Sequence, residues 1–350
     1  MKKRIALILM LTLMLTLLTG CAGTPVVYYT DCNCSSNGTG STPPVTPAEG
    51  ALKTGLVITT SIKNSKNAEV ADYDVTMVAV LVDDNGIIRD CIIDGIATKV
   101  NFDNTGTITS DLTKPVQTKN ELGKNYGMVA WGGAKYEWNE QADALAKYAI
   151  GKTVAQLKNG AIDASGKAPA GSDLAATATI YLGGYVAAIE AAVANAKHLG
   201  AQSGDTLKLA SVNSVSGSTS ATAEKAGTAQ LDATVTALTM KDGVITSCAI
   251  DSVQAKVAFD KTGTITTDVT KAVQTKNELG KNYGMVAWGG AKYEWNEQAA
   301  SFAAYVTGKT AAQVAGIAVT DKNAPAGADL SATVTIAIGD FQALIAKAMK

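Results

Sequence analysis

Val116 to Ala142 reads VQTKNELGKNYGMVAWGGAKYEWNEQA, and Val273 to Ala299 repeats it without a single substitution. The likeness continues on both sides. Cys91-Ile-Ile-Asp94 parallels Cys248-Ala-Ile-Asp251, and Lys99-Val-Asn-Phe-Asp103 parallels Lys256-Val-Ala-Phe-Asp260. Further on, Ala168-Pro-Ala-Gly-Ser-Asp-Leu-Ala-Ala-Thr177 parallels Ala324-Pro-Ala-Gly-Ala-Asp-Leu-Ser-Ala-Thr333. The period is far too long for a solenoid unit. It marks two complete, homologous tandem domains, 51–200 and 205–350, joined by the short polar stretch from Gly200 to Asp205.

Each domain reads as α+β, an antiparallel sheet with packed helices. The expected strands are Gly55 to Lys63, Val75 to Val82 and Ile87 to Ile93. Their counterparts are Leu207 to Val212, Thr234 to Met240 and Val244 to Ile250. Asn85-Gly86 and Asp242-Gly243 lie between the last two strands of each set. Such pairs are strong hairpin signals, because a tight two-residue turn puts both residues at positive φ. Cys91 and Cys248 fall on the return strands, where a lone cysteine packs as a small apolar residue. A helix is expected after each aromatic block, with Asn139 or Asn296 as its N-cap and Gly151 or Gly308 as its stop. A last strand and a C-terminal helix, Tyr185 to His198 or Asp340 to Met349, close each domain. In the second of these Asp340 can cap, and Phe341, Leu344, Ile345 and Ala348 make one apolar face.

The N-terminus has a different character. Lys2, Lys3 and Arg4 precede an uncharged apolar run from Ile5 to Leu18. That run is short of the roughly 20 residues a membrane-spanning helix needs and matches a signal peptide, 1–20. It ends in Leu18-Thr19-Gly20-Cys21, which resembles a bacterial lipobox. The resemblance implies cleavage before Cys21, lipidation of its thiol and anchoring in a lipid bilayer. From there to Gly50 the chain is rich in Ser, Thr, Gly, Pro and Asn, with no apolar period. It reads as a flexible tether, 21–50, reaching about 30 Å as a random coil. Cys32 and Cys34 lie in it, too few for a metal site of about four ligands.

Composition narrows the function. The net charge is −1 and charged residues make up 17% of the chain, with no basic run to favour nucleic acid. The single histidine, His198, ends a helix, where interaction with the dipole is the ordinary role. There is no Ser-His-Asp set, no metal-ligand cluster, no Walker loop and no GxGxxG. Neither catalytic residues nor a metal are therefore expected.

Two elements remain as candidate binding sites. All four tryptophans, Trp131, Trp138, Trp288 and Trp295, lie in the repeated block, with Tyr126 and Tyr283 beside them. Aromatic faces and glycines together suit a flat ligand, although the same residues can equally form core and turns. The second element is Asp173-Leu-Ala-Ala-Thr177-Ala-Thr179, with its counterpart Asp329-Leu-Ser-Ala-Thr333-Val-Thr335.

This second element resembles the attachment motif of FMN-binding lipoproteins, an acidic residue before Ser-Gly-Ala-Thr and then another hydroxyl residue and a helix. Here Leu174 or Leu330 replaces the Ser, Ala175 or Ser331 replaces the Gly, and the acids Asp173 and Asp329 lie closer. With its lipobox, tether and tandem domains, the chain is similar to the PplA-type flavoproteins of Gram-positive extracellular electron transfer. The resemblance implies two covalent FMN groups, esterified through phosphate to Thr177 and Thr333 by a separate flavin transferase, with Thr179 and Thr335 as alternatives. It also implies a place on the outer face of the cytoplasmic membrane, reaching into the cell wall. There electrons would pass from a membrane quinone/NADH dehydrogenase system to ferric iron or other acceptors. The alternative is a non-catalytic surface module that binds a wall polymer or a small aromatic ligand. Leu13 to Gly20, LMLTLLTG, also resembles segments released from similar lipoproteins as peptide pheromones.

Overall fold

The computed structural model describes residues 50–350. The signal peptide, Cys21, Cys32, Cys34 and the tether up to residue 49 lie outside the described residues. The first repeat opens with three strands, β1 (Lys53–Ser61), β2 (Val70–Val82) and β3 (Ile88–Asn101), in an antiparallel meander. Helices α1 (Lys119–Leu122), α2 (Trp138–Ala149), α3 (Val154–Ala161), α4 (Asp173–Thr177) and α5 (Gly183–Ala194) follow. The second repeat supplies β4 (Thr206–Ser214), β5 (Gly227–Lys241) and β6 (Val244–Phe259) as a second meander. Its helices are α6 (Lys276–Leu279), α7 (Trp295–Val306), α8 (Ala311–Ala315), α9 (Ala328–Ser331) and α10 (Gly339–Ala348).

The strands outrun their expected ends, because pairing continues to Asn101 and Phe259 through the Lys-Val-x-Phe motifs. The hairpins differ from each other. Asp242 and Gly243 have φ of 51° and 77°, the geometry expected of a tight two-residue turn. In the first repeat only Gly86 is positive, at 76°. There Asp83 accepts from the Asn85 and Ile87 amides, both at 2.9 Å, and this side-chain turn replaces the backbone one.

Among the described residues no strand leads directly into α5 or α10. Asp173–Thr177 is helical instead, with Ser172 accepting from the Ala175 amide at 3.2 Å as its N-cap. Helix α2 is capped by Glu137 rather than Asn139, through a reciprocal box with Glu140. Helices α2 and α7 stop just before Gly151 and Gly308, whose φ values of 81° and 84° end a helix cheaply. Asp340 lies in the first turn of α10 rather than at its cap, and the apolar face of Phe341, Leu344, Ile345 and Ala348 is buried as read. His198 lies beyond the end of α5 and pairs with Asp84 at 2.9 Å, so its partner is a carboxylate rather than a helix end.

Period-two alternation gives each sheet two apolar faces. Val78, Val80 and Val82 of β2 join Trp138, Leu145 and Ile189 in a core beneath α2 and α5. Tyr73, Val75 and Met77, on the opposite face, join Leu231, Val235 and Val257 of the second repeat. The layers therefore run helix, sheet, sheet, helix, and the central core draws on both repeats. The halves 51–200 and 205–350 each hold a sheet with its helices, yet they are not separate bodies. At one end of the sandwich Phe102 and Phe259 stack with centroids 4.1 Å apart and planes 1° apart. Beside them Gly106 approaches the second repeat so closely that a Cβ would meet the Asp260 carbonyl oxygen at 2.7 Å. Near the hairpin end of the two sheets Thr54 and Ser247 share a buried hydroxyl hydrogen bond of 2.7 Å.

Cys91 and Cys248 are buried free thiols. Burial pushes Cys248 up to about 12 and Cys91 higher still, so both stay protonated and pack as apolar groups.

Candidate functional site

In each repeat the aromatic block folds as a loop fixed at three points. The first is α1. Thr118 and Glu121 form a capping box, and Asn120 donates to the Ile93 carbonyl at 3.0 Å, which docks α1 on β3. Asp94 accepts the Asn120 amide at 3.0 Å, and Asp251 accepts the Asn277 amide at 3.1 Å.

Both carboxyls are buried, and burial raises their pKa against the hydrogen bonds that lower it, Asp251 to about 6. The folded state thus holds this proton more tightly than the unfolded chain, whose Asp titrates near ~3.9. The resulting stabilisation is complete below about pH 4 and is lost as pH rises through about 6, a change of about 3 kcal/mol. Asp251→Asn keeps an acceptor for both amides and removes the titration. Melting temperature followed from pH 4 to pH 8 should therefore fall less in the variant than in the wild type. Equal falls would show that Asp251 does not titrate in this range.

The second fixed point is Glu137. Its buried carboxylate accepts from the Met128 amide at 2.8 Å and the Val129 amide at 3.1 Å. Glu294 does the same for Met285 and Val286, at 2.9 and 3.1 Å. Between these points the loop turns at Gly127, where φ is 85°. The Trp131 ring lies over this glycine, and a Cβ there would sit 2.1 Å from the indole.

The third point is Gln141, fully buried on α2. Its amide donates to the Tyr136 carbonyl at 2.9 Å. Its oxygen accepts from the Thr179 amide at 2.8 Å, the Thr179 hydroxyl at 3.1 Å and the Ile180 amide at 3.1 Å. Gln298 repeats this bridge from Tyr293 to Thr335 and Ile336. One buried amide thus ties the aromatic loop to the segment that follows Thr177 or Thr333.

The tryptophans divide into two kinds. Trp138 and Trp295 are core. Trp138 donates to the Tyr185 hydroxyl at 3.0 Å, and Trp295 packs edge-on to Phe341. The Lys119 ammonium lies between Trp138 and Tyr126, 4.9 and 5.6 Å from the ring centroids. Lys276 stands likewise between Trp295 and Tyr283. These four aromatics form the foundation of the loop. Trp131 and Trp288 are 81% and 82% exposed, and they are the stacking faces that the repeated block offers to solvent.

The attachment candidates also separate. Thr179 and Thr335 spend their hydroxyls on the glutamines. Among the described residues the Thr177 hydroxyl makes no hydrogen bond, and that of Thr333 reaches only the Leu330 carbonyl at 3.5 Å. Thr177 is the last residue of α4, and Thr333 lies just past α9, so neither stands at the start of a helix. A phosphate at these threonines therefore draws no support from a helix N-terminus there. Asp173 and Asp329 are exposed in the first turns of the same short helices.

No protein-family model, no curated protein and no solved structure matches this chain. By fold and site it is an α+β protein of two fused repeats, each presenting an exposed indole and a threonine segment on one scaffold. No helix among the described residues is long and apolar enough to cross a membrane.

Proposed function

We propose that this chain is a membrane-anchored extracellular electron-transfer flavoprotein, carrying one covalent FMN per repeat on Thr177 and Thr333. The observation that carries this reading is the doubled arrangement around Gln141 and Gln298. In each repeat a threonine hydroxyl with little or no internal hydrogen bonding lies beside a segment clamped to an aromatic loop with an exposed tryptophan. Thr177 or Thr333 would hold the phosphate, and Trp131 or Trp288 offers a face on which a flat ring can stack. FMN would supply one- and two-electron chemistry, which asks no acid or base of the protein. A separate flavin transferase would transfer the FMN moiety of FAD to the threonine oxygen, with AMP leaving. Lipid on Cys21 and the tether would hold the protein at the outer membrane face, between a quinone/NADH dehydrogenase system and acceptors such as ferric iron.

Intact-mass spectrometry after co-expression with a flavin transferase tests the assignment. The wild type should gain two increments of FMN less water. Thr177→Ala and Thr333→Ala should each remove one, and the double variant both. Protein from its native host with no flavin on any peptide would sink the proposal.

The solvent-facing pair Trp131 and Trp288 favours a second reading, a non-catalytic module that binds a wall polymer or small aromatic ligand. Retention on wall polymer by a colourless protein, lost in Trp131→Ala/Trp288→Ala, would support it instead.

A further inference from the structure

The two repeats meet along two related grooves, and these differ in one residue that matters. In one groove, between β4 and α1, Lys347 of α10 reaches across the interface. Its ammonium donates to the Ser211 carbonyl at 2.7 Å and pairs with Glu121 Oε1 at 2.6 Å. Asp94, Thr118 and Asn120 line the same groove.

The companion groove lies between β1 and α6 and has a volume of about 620 Å³. Asp251, Thr275, Asn277 and Glu278 line it, the counterparts of Asp94, Thr118, Asn120 and Glu121. Ile58 takes the place of Ser211, since each is the sixth residue of its edge strand. Counting from Gly183 and Gly339, which open α5 and α10, the counterpart of Lys347 is Ala191. The acidic end is thus kept and its cation is gone. Glu278 Oε2 still accepts the Thr275 amide at 2.8 Å, while among the described residues Oε1 has no partner. Leu56, Ala300 and Ala304 add apolar wall. Lys197 lines the opposite end, beside Thr54. Thr54 and Ile58 are about 13 Å apart at ~3.3 Å per strand residue, and among the described residues Lys197 pairs with neither Glu278 nor Asp251.

We propose that this groove binds a small aliphatic primary amine, its ammonium occupying the place that Lys347 fills in the companion groove. An ammonium between a carboxylate and a carbonyl is the contact already made across the interface by Lys347. The buried Asp251 carboxyl, with its raised pKa, becomes a further acceptor once it ionises.

The test is calorimetric titration of the whole chain with 1-aminohexane. One saturable site is expected. Glu278→Gln should weaken it about tenfold, the loss of one charge-assisted contact. Ala191→Lys should abolish binding and raise the melting temperature by supplying the ammonium internally. Lys347→Ala should open the companion groove and take the stoichiometry from one to two. Absence of saturable binding up to about 10 mM would overturn the proposal. So would full binding by a folded Ala191→Lys protein, or an unchanged stoichiometry in Lys347→Ala.

Discussion

Residues 47–203 expressed alone should not give a folded monomer. In the intact chain Ile58, Ile62, Val75, Met77, Ile96, Val100 and Phe102 of this half are buried in the central core shared with the second repeat. Each large apolar side chain so covered contributes about 1.5–3 kcal/mol, so the seven together contribute on the order of 10–20 kcal/mol. That equals or exceeds the whole stability of an ordinary domain, about 5–15 kcal/mol. The separated half keeps its helices over one face of the sheet and exposes the other. Self-association through that face, or a collapsed state without a cooperative transition, is the expected result by analytical ultracentrifugation and thermal melting. Adding 204–350 in trans should restore a one-to-one complex with a sharp transition. A monodisperse monomer that melts cooperatively would show that the helix-covered face alone suffices. Phe102→Ala in the full chain offers a smaller version of the same test. It removes one ring of the stack with Phe259 and should cost about 3–5 kcal/mol.

Gln141→Leu should loosen the segment around Thr177 and lower stability sharply. Leucine fits the volume of the buried glutamine but leaves the Thr179 and Ile180 amides and the Tyr136 carbonyl without partners. Each of these three part-buried groups loses a hydrogen bond worth about 0.5–1.5 kcal/mol, so the loss is about 3 kcal/mol. For a folded part of about 300 residues that lowers the melting temperature by about 5 °C. Hydrogen exchange should quicken at Thr179 and Ile180 while Thr335 and Ile336, held by Gln298, stay protected. Gln298→Leu should show the reverse. Unchanged exchange at Thr179 and Ile180 would mean that the segment is held by the packing of Leu174 and Ala178 instead. If the flavin reading is right, Gln141→Leu should also lower modification of Thr177 and leave that of Thr333 intact.

The three strands of each repeat in outline, the hairpin between the last two and the buried face of α10 were legible in the sequence. Alternation and helical spacing carry that information within a few residues. The two kinds of tryptophan were not. Trp131 and Trp138 stand seven places apart in one Gly-rich block, and only the start of α2 at Trp138 turns one inward. Gln141 was missed, yet it left a signal. It lies on the apolar face of α2 with Ala142, Leu145, Ala146 and Ala149, and a polar residue on a buried face needs hydrogen-bond partners from elsewhere. A last strand was expected before the closing helix, yet the stretch from Asp173 to Thr177 forms a short helix capped by Ser172.

The sequence by itself determined the repeat and the α+β character of each half. These depend on turns, caps and periodicities set by near neighbours. Tertiary structure decided the rest. The C-terminal halves of β2 and β5 are buried on both faces, from Met77 to Val82 and from Val235 to Thr239, and alternation cannot distinguish a face made for helices from one made for another sheet. Only the closure of one sheet on the other merges the repeats into one core. The same closure sets Lys347 against Glu121 and gives Glu278 no such cation among the described residues, because Lys347 and Glu121 stand more than two hundred residues apart, beyond the reach of any local pattern.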